Sequence, residues 1–472
     1  MPARLHDQLE AWARRRPAPA GSLAEGAAAL ADWHAAAGGW LGDLAQASPA
    51  AADARIAWRA QVRRATSKLV RRHADELDRL IATPDASGAI DELAAALPGL
   101  VAGRAEQAED AARPLASKIG VEYKAAVVLA ELLAAPGPGR RLLHGSRRPR
   151  PRSLELLPVF ERDGAVELAG ARVRRHGPAA VVELASPDAL NAESDPVLDA
   201  LEICVDLALL DPGALVGVLR GAPVTNRKYA GKRVFCSGLH LTELYEGRLS
   251  YLYYVRRELG LVSKLLRGLA LADEPTDHDL ARSSALRLLR TGSVNREPEE
   301  PEEIEKPWIA AVETHAIGGG CQLLLVMDAV LAAQGSFLTL PARREGIIPG
   351  AANLRLPRLV GERTARRMIL MDRRLPADGP EVAGLVDEIV PPEQMDRAID
   401  AAVDGLTSSG LVSLAGNRKA LRLGQEPEDV FQAYMAHFAL AQADCHFSPA
   451  LTQNLERHWM RRPGAAPPEA AP

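Results

Sequence analysis

The sequence predicts an α/β core with helical segments before and after it. Two observations carry this reading. From about residue 175, short apolar runs at residues 180–184, 215–219, 308–312 and 329–332 alternate with helical patterns at 196–210 and 252–269. Such alternation marks repeated strand–helix units. Before about residue 135 and after about residue 395, strand patterns are scarce and apolar residues recur at helical spacing instead.

Taken in order, Val62, Leu69, Leu77 and Leu80 mark the N-terminal helices. Pro136, Gly137, Pro138 and Gly139 are read as their end, and the basic stretch 140–152 as a solvated linker, with polyphosphate contact the alternative. Residues 292–305 (GSVNREPEEPEEIE) are acidic and Pro-broken, which predicts a surface loop. Helical patterns return at 435–440 and 451–459, and the Pro/Ala-rich tail 463–472 is predicted to be disordered. The division expected is 1–174 helical domain and linker, 175–395 core, and 396–472 C-terminal helices for oligomer packing with a tail.

Composition narrows the function. A net charge of −4 over 472 residues gives no electrostatic case for nucleic acid. Neither a membrane-spanning apolar run nor a signal-peptide pattern is present. Cys204, Cys236, Cys321 and Cys445 are widely spaced and suit a reducing cytoplasm. His240, His315 and His446 lack metal-ligand spacing, and there is no GxGxxG. The expectation is a cytoplasmic protein without metal or dinucleotide.

Residues 315–322 read His-Ala-Ile-Gly-Gly-Gly-Cys-Gln, between a strand-like and a helix-like run. Glycines there let a ligand approach the backbone, and a helix start offers unpaired N–H groups to a developing negative charge. A tight turn alone is the other reading.

Three further segments accompany it: residues 186–192 (SPDALNA), 229–241 (YAGKRVFCSGLHL) and 345–352 (EGIIPGAA). In this order they resemble the crotonase (enoyl-CoA hydratase/isomerase) superfamily over about residues 175–395. The resemblance implies a spiral of strand–strand–helix units, trimers or dimers of trimers, and an acyl-CoA ligand. It also implies an oxyanion hole at the amides of Leu239 and Gly319 that holds the thioester oxygen, with Ser237, Gly238, His240, Gly318 and Gly320 around it. For Leu239 the alternative is a plain core leucine. Asn226, Arg227, Lys228 and Tyr229 match a CoA-contact stretch, with a solvated turn as the alternative.

The hydratase acids are missing. Gln322 stands at one acid position and Ala342, after Pro341, at the other. Glutamine is no proton donor at neutral pH, and each lost acid–base group is worth roughly 10²–10⁴-fold. Glu345 lies nearby, either recruited or structural.

The match is closer to one branch, the cofactor-independent dihydroxyphenylacetyl-CoA dioxygenases of glycopeptide-antibiotic pathways. It rests on residues 190–193 (LNAE), 201–202 with 205–212 (LE, VDLALLDP), 229–231 with 234–238, and 256–260 (RRELG). It continues through 317–320 with 322–326 and residues 345–356 (EGIIPGAANLRL). The resemblance implies removal of the α-proton, reaction of the carbanion with dioxygen, and release of an arylglyoxylate and CoA with no cofactor. Glu193 would accept hydrogen bonds from ring hydroxyls, the alternative being a solvated glutamate at a helix start. Arg257 would lie near the reaction centre, with Arg256 leaving the register open and a surface arginine as the alternative. Gln322 would donate a hydrogen bond without a proton, or merely cap its helix. Ile347, Ile348 and Pro349 would form a dry dioxygen pocket, or simply a packing turn. Two competing functions stay open: a hydratase or isomerase with relocated acids, and a non-catalytic acyl-CoA-binding protein.

Overall fold

The computed structural model describes residues 2–18, 21–45, 48–270, 303–408 and 411–460. Twelve strands run β1 (Ala165–Leu168), β2 (Gly170–His176), β3 (Ala179–Ala185), β4 (Val216–Gly221), β5 (Leu269–Ala270), β6 (Glu303–Ile304), β7 (Trp308–Val312), β8 (His315–Ile317), β9 (Ala329–Ala333), β10 (Phe337–Thr339), β11 (Leu375–Pro376) and β12 (Glu388–Val390). A seven-stranded sheet has the order β1-β2-β3-β4-β7-β9-β12, and a three-stranded sheet the order β11-β10-β8. From β3 through β12 the large sheet is parallel. Strands β4 and β7 are buried at every position, as their continuous apolar runs require when both faces are covered.

Each chain turn gives one strand to each sheet and then a helix. β7 enters the large sheet, β8 the small one, and the helix Gly319–Leu324 follows. β9, β10 and the helix Ala342–Glu345 repeat the pattern. The earlier turn does so more loosely: after β4, Cys236 bridges to Ala316 of β8. This is the expected crotonase-type spiral. It stacks successive strand ends and helix starts along one seam.

Several expectations are corrected. Residues 140–152 are no solvated linker, because Pro136–Ser146 and Pro151–Asp163 are helices. Of their prolines, Pro136, Pro138 and Pro151 sit in first turns, where the missing N–H has no partner to lose, and only Pro158 falls inside a helix. Arg147 is buried and pairs with Glu303 at 2.8 Å. Leu80 is exposed, whereas Val62, Leu69 and Leu77 are buried. The sheet begins at β1, ahead of residue 175, because the β1–β2 hairpin pairs onto β3. The acidic insert falls mostly outside the described residues. Its described end is not a surface loop: β6 pairs with β5, and Glu305 is buried on Arg418 and Arg422 at 2.8 and 2.5 Å. The tail 463–472 lies outside the described residues.

The helix Tyr123–Ala134 is buried along almost its whole length between Pro49–Arg72 and the C-terminal helix Glu428–His446. The two ends of the chain therefore pack as one body beside the spiral. The acidic residues of Asp195–Leu210 have a packing role. Lys264 lies 2.7 Å from both Glu202 and Asp206, and Asp206 also accepts from the Arg150 amide and the Ser153 hydroxyl. Among the described residues no helix is long and apolar enough to cross a membrane.

Candidate active site

The seam of the spiral holds a cavity lined by Leu239, Gly318, Gly319, Gln322, Arg257, Glu345, Ile347, Ile348 and Pro349, with Tyr253, Tyr254 and Phe438 among the rest. Three of the four motif segments thus meet at this cavity, and the fourth, residues 186–192, ties the surrounding strands together. The reason starts with Asn191. Its φ is +53°, a conformation asparagine tolerates. Its side chain accepts from the Ser186 amide and donates to the carbonyls of Ala222 and Val234 at 2.8 and 2.7 Å. The SPDALNA segment thereby fastens the ends of β3, β4 and the Cys236 segment.

Glu193 then bridges to Leu239. The Glu193 amide donates to Gly238 O at 2.7 Å, and the His240 amide donates to Glu193 O at 2.8 Å. This parallel pairing turns the N–H of Leu239 to the opposite side. Gly319 is the first residue of its helix, so its amide has no intrahelical acceptor. The two loops touch: a Cβ added to Gly238 would stand 3.3 Å from the Gly319 nitrogen.

The three glycines serve three ends. Gly318 has φ +52°, and its amide donates to Thr339 O at 2.9 Å. A Cβ on Gly319 would lie 2.9 Å from Glu193 Oε1 and 3.1 Å from Arg257 Nη2. A Cβ on Gly320 would collide with Cys236 at 2.7 Å. The run is more than a turn, since Gly318 is required by its positive φ and Gly319 and Gly320 by different close neighbours.

Arg257, not Arg256, reaches the site. Arg256 pairs with Asp195 and Asp199 away from it. The Arg257 guanidinium grips Glu193 with Nε to Oε2 at 2.5 Å and Nη2 to Oε1 at 2.9 Å. It also donates to Gly319 O at 2.8 Å and to Gln322 Oε1 at 3.0 Å. Because guanidinium only donates, the Gln322 oxygen faces Arg257 and its NH₂ is left for other acceptors. Gln322 therefore does not cap its helix. A π-helical turn, Glu258–Val262, begins at the next residue. Such turns occur often at functional sites.

Glu193 is almost fully buried. Its oxygens also accept from Tyr253 Oη at 2.5 Å and Cys236 Sγ at 3.6 Å. Burial works against its ionised form, but Arg257 outweighs this and holds the pKa below the ordinary value. The expectation that Glu193 takes ring hydroxyls does not fit this packing, since both oxygens are engaged behind Gly319. Sequence reading missed Tyr253. Its spacing of four from Arg257 on one helix face was the available signal.

Much of the rest of the lining is apolar: Ile347, Ile348, Pro349, Ala342 and Phe438. Gln442 Oε1 accepts from the Ile348 amide at 2.9 Å and fixes this turn. Ala342 is buried at the second acid position. Glu345 also lines the cavity. It is buried, has no hydrogen-bond partner among the described residues, and desolvation pushes its pKa up to about 7.

Other expected residues lie around the cavity. His240 is the N-cap of Leu241–Tyr245, with Nδ1 accepting from the Glu243 amide at 3.3 Å. Ser237 Oγ is 2.9 Å from His315 Nε2, and Tyr229 lies edge-on to His315 at 5.2 Å. Asn226, Arg227 and Lys228 form an exposed turn beside this pair. A separate basic groove of about 760 Å³ lies along the helix Pro49–Arg72. It has no link to the spiral seam. Among the described residues, no group of three or more His, Cys, Asp or Glu is placed to hold a metal ion.

Comparison with known proteins agrees with this geometry. Residues 292–440 match the family model described as enoyl-CoA hydratase/isomerase. The chain is 43% identical over 389 residues to a (3,5-dihydroxyphenyl)acetyl-CoA 1,2-dioxygenase of Amycolatopsis orientalis, covering 81% of this chain and 83% of that protein. It is 25% identical over 263 residues to a short-chain-enoyl-CoA hydratase of Clostridium acetobutylicum, covering 55% and 84%. An enoyl-CoA hydratase/isomerase structure from Xanthobacter autotrophicus Py2 aligns at 19% identity and TM-score 0.47, over 62% of this chain and 94% of that one. The extent of the dioxygenase match, with Gln322 and Ala342 in place of the hydratase acids, places this protein in the (3,5-dihydroxyphenyl)acetyl-CoA 1,2-dioxygenase family of the crotonase superfamily.

Proposed function

We propose that this protein is a metal- and cofactor-independent dioxygenase. It converts (3,5-dihydroxyphenyl)acetyl-CoA and dioxygen to 3,5-dihydroxyphenylglyoxylate and CoA, in the supply of precursors for glycopeptide-type antibiotics. The observation that carries this reading is the cavity itself. Leu239 and Gly319, the two residues whose amides the family resemblance makes the oxyanion hole, both line it, and both hydratase acid positions hold groups that cannot transfer protons.

The thioester oxygen docks on the two amides, and loss of the α-proton gives an enolate whose charge they stabilise. One such donor is worth about 3 kcal/mol in a transition state. The Glu193–Arg257 pair acts on the reaction through Gly319 and Gln322: it fixes the carbonyl of the first and the orientation of the second. The carbanion reduces dioxygen and forms a peroxide at the α-carbon. The distal oxygen attacks the thioester carbon and CoA leaves as the thiolate. The second α-hydrogen is then lost as a proton while the O–O bond breaks, which leaves the ketone at the α-carbon and the other oxygen in the carboxylate. Ile347, Ile348, Pro349 and Phe438 keep water from quenching the carbanion. The turn Asn226–Tyr229 contacts the CoA moiety beside Ser237, Gly238 and His240.

The assembly is a homotrimer or a dimer of trimers in the cytoplasm. Exposed Val412, Leu421 and Leu423 on the helix Leu411–Gln425 support packing between copies. The helix Glu428–His446 packs within its own chain and lends Phe438 to the cavity.

The test is a dioxygen-electrode trace with chelator-treated protein and the arylacetyl thioester. Uptake with stoichiometric CoA release is expected. No uptake, together with hydration of crotonyl-CoA, would replace this reading with the hydratase.

A further inference from the structure

We propose that Glu345 is the base that removes the α-proton, an inference that rests on the dioxygenase reading and supplies the group it lacks. The placement is the first argument. Glu345 ends the helix Ala342–Glu345 and lines the same cavity as Leu239, Gly319 and Gln322. A base for this step must face the α-carbon while the carbonyl oxygen faces the amides.

The second argument is its lack of partners. Glu193 is clamped by Arg257, and Glu258 lies between Arg257 and Arg355 at 3.4 and 3.3 Å. Of these three buried carboxylates, only Glu345 has no hydrogen bond or ion pair among the described residues. The groups facing it are Arg344 on its own helix, Asp372 after the helix Ala352–Leu370, and Tyr254 from Leu252–Arg257. Arg257 and Glu258 share its cavity, and Pro449–His458 brings Leu451 and Asn454 against the adjacent Gly346. Tyr254 is raised by burial and stays neutral. Arg344 alone opposes the rise in Glu345, and burial and Asp372 outweigh it.

The third argument is chemical. A desolvated carboxylate is a stronger base than one in water, and a base is most effective when its pKa lies near the working pH. Glu345 meets both conditions with a value near 7. As the Cα–H bond breaks, its electron pair enters the enolate and an O–H bond forms on Glu345. No oxidant takes part in this step. The departing CoA thiolate gives the proton its destination and returns the carboxylate.

The experiment separates proton removal from oxygenation. Under anaerobic conditions in D₂O, the α-position of (3,5-dihydroxyphenyl)acetyl-CoA is followed for deuterium uptake. The parent protein is expected to exchange it, Glu345→Gln to lose about 10²-fold or more, and Glu345→Asp to regain part. The parent's kcat/KM is expected to rise with pH through about 7, and the Gln variant to lack that limb. Exchange by a folded Gln variant at the parent rate would overturn the assignment. So would a parent profile with no acidic limb, a readout that does not depend on the variant folding. Exchange by the parent without dioxygen uptake in air would sink the dioxygenase reading and leave the base standing.

Discussion

Behind Gly319, Glu193 is buried and fully engaged by Arg257, Tyr253 and Cys236, and its pKa lies below the ordinary value. In the cavity lining, Glu345 is buried beside Tyr254, Arg344 and Asp372 with no hydrogen bond or ion pair among the described residues, and its pKa rises to about 7. Two buried carboxylates, one behind the cavity and one in its lining, are thus driven apart by their surroundings, the usual way a site separates a fixed charge from a proton carrier. In the proposed mechanism the charged side holds geometry, and the apolar side meets substrate and dioxygen.

Breaking the charged side is expected to have the largest effect. Arg257→Met leaves Glu193 buried and unpaired, and is expected to cost about 3–5 kcal/mol in denaturant unfolding. Adding Glu193→Gln should recover much of this, because the stranded charge is then gone. Equal losses in the single and double variants would show that the pair contributes nothing.

Changing Glu345 is expected to act in the opposite direction. A rise from 4.5 to about 7 corresponds to about 3 kcal/mol at 1.36 kcal/mol per unit. The folded state binds this proton more tightly than the unfolded chain. The stability it confers is therefore full below about 4.5 and lost as pH rises through 7. Glu345→Gln is expected to gain by about 3 kcal/mol over the parent between pH 4 and pH 8 while losing turnover. Glu193 gives the reverse slope: its pKa is lowered, so its contribution is present above the ordinary carboxylate pKa and lost as pH falls.

Smaller changes sharpen the contrast. Tyr253→Phe removes one hydroxyl from Glu193 and is expected to cost about 2 kcal/mol, with an intact acidic limb. Ile348→Val trims the apolar wall for about 1 kcal/mol. Its signature is functional: α-proton exchange should persist while dioxygen uptake per exchange falls.

The charged and apolar sides differed in how far sequence alone could read them. Strands of the spiral were legible because β4 and β7 are buried on both faces and so read as unbroken apolar runs. Gln322 was legible because it stands directly after the glycine run. The clamp on Glu193 was not, since Tyr253 and Arg257 come from sixty residues downstream and the Arg256–Arg257 pair offers two registers. Only the helix orientation before the π-turn selects between them. The proline-rich stretch 140–152 misled because prolines at helix starts and in linkers look alike until the first turn is seen. Phe438 reaches the cavity from the far C-terminal helix, and no local pattern announces that contact.

The most direct test of a carbanion that meets dioxygen rather than water is isotopic. Turnover of (3,5-dihydroxyphenyl)acetyl-CoA by chelator-treated protein under ¹⁸O₂ in ordinary water is followed by mass spectrometry of the acid product. The account requires both oxygen atoms of one dioxygen molecule in the arylglyoxylate, one at the ketone and one in the carboxylate. A product with a single label, its carboxylate oxygen drawn from water, would contradict it.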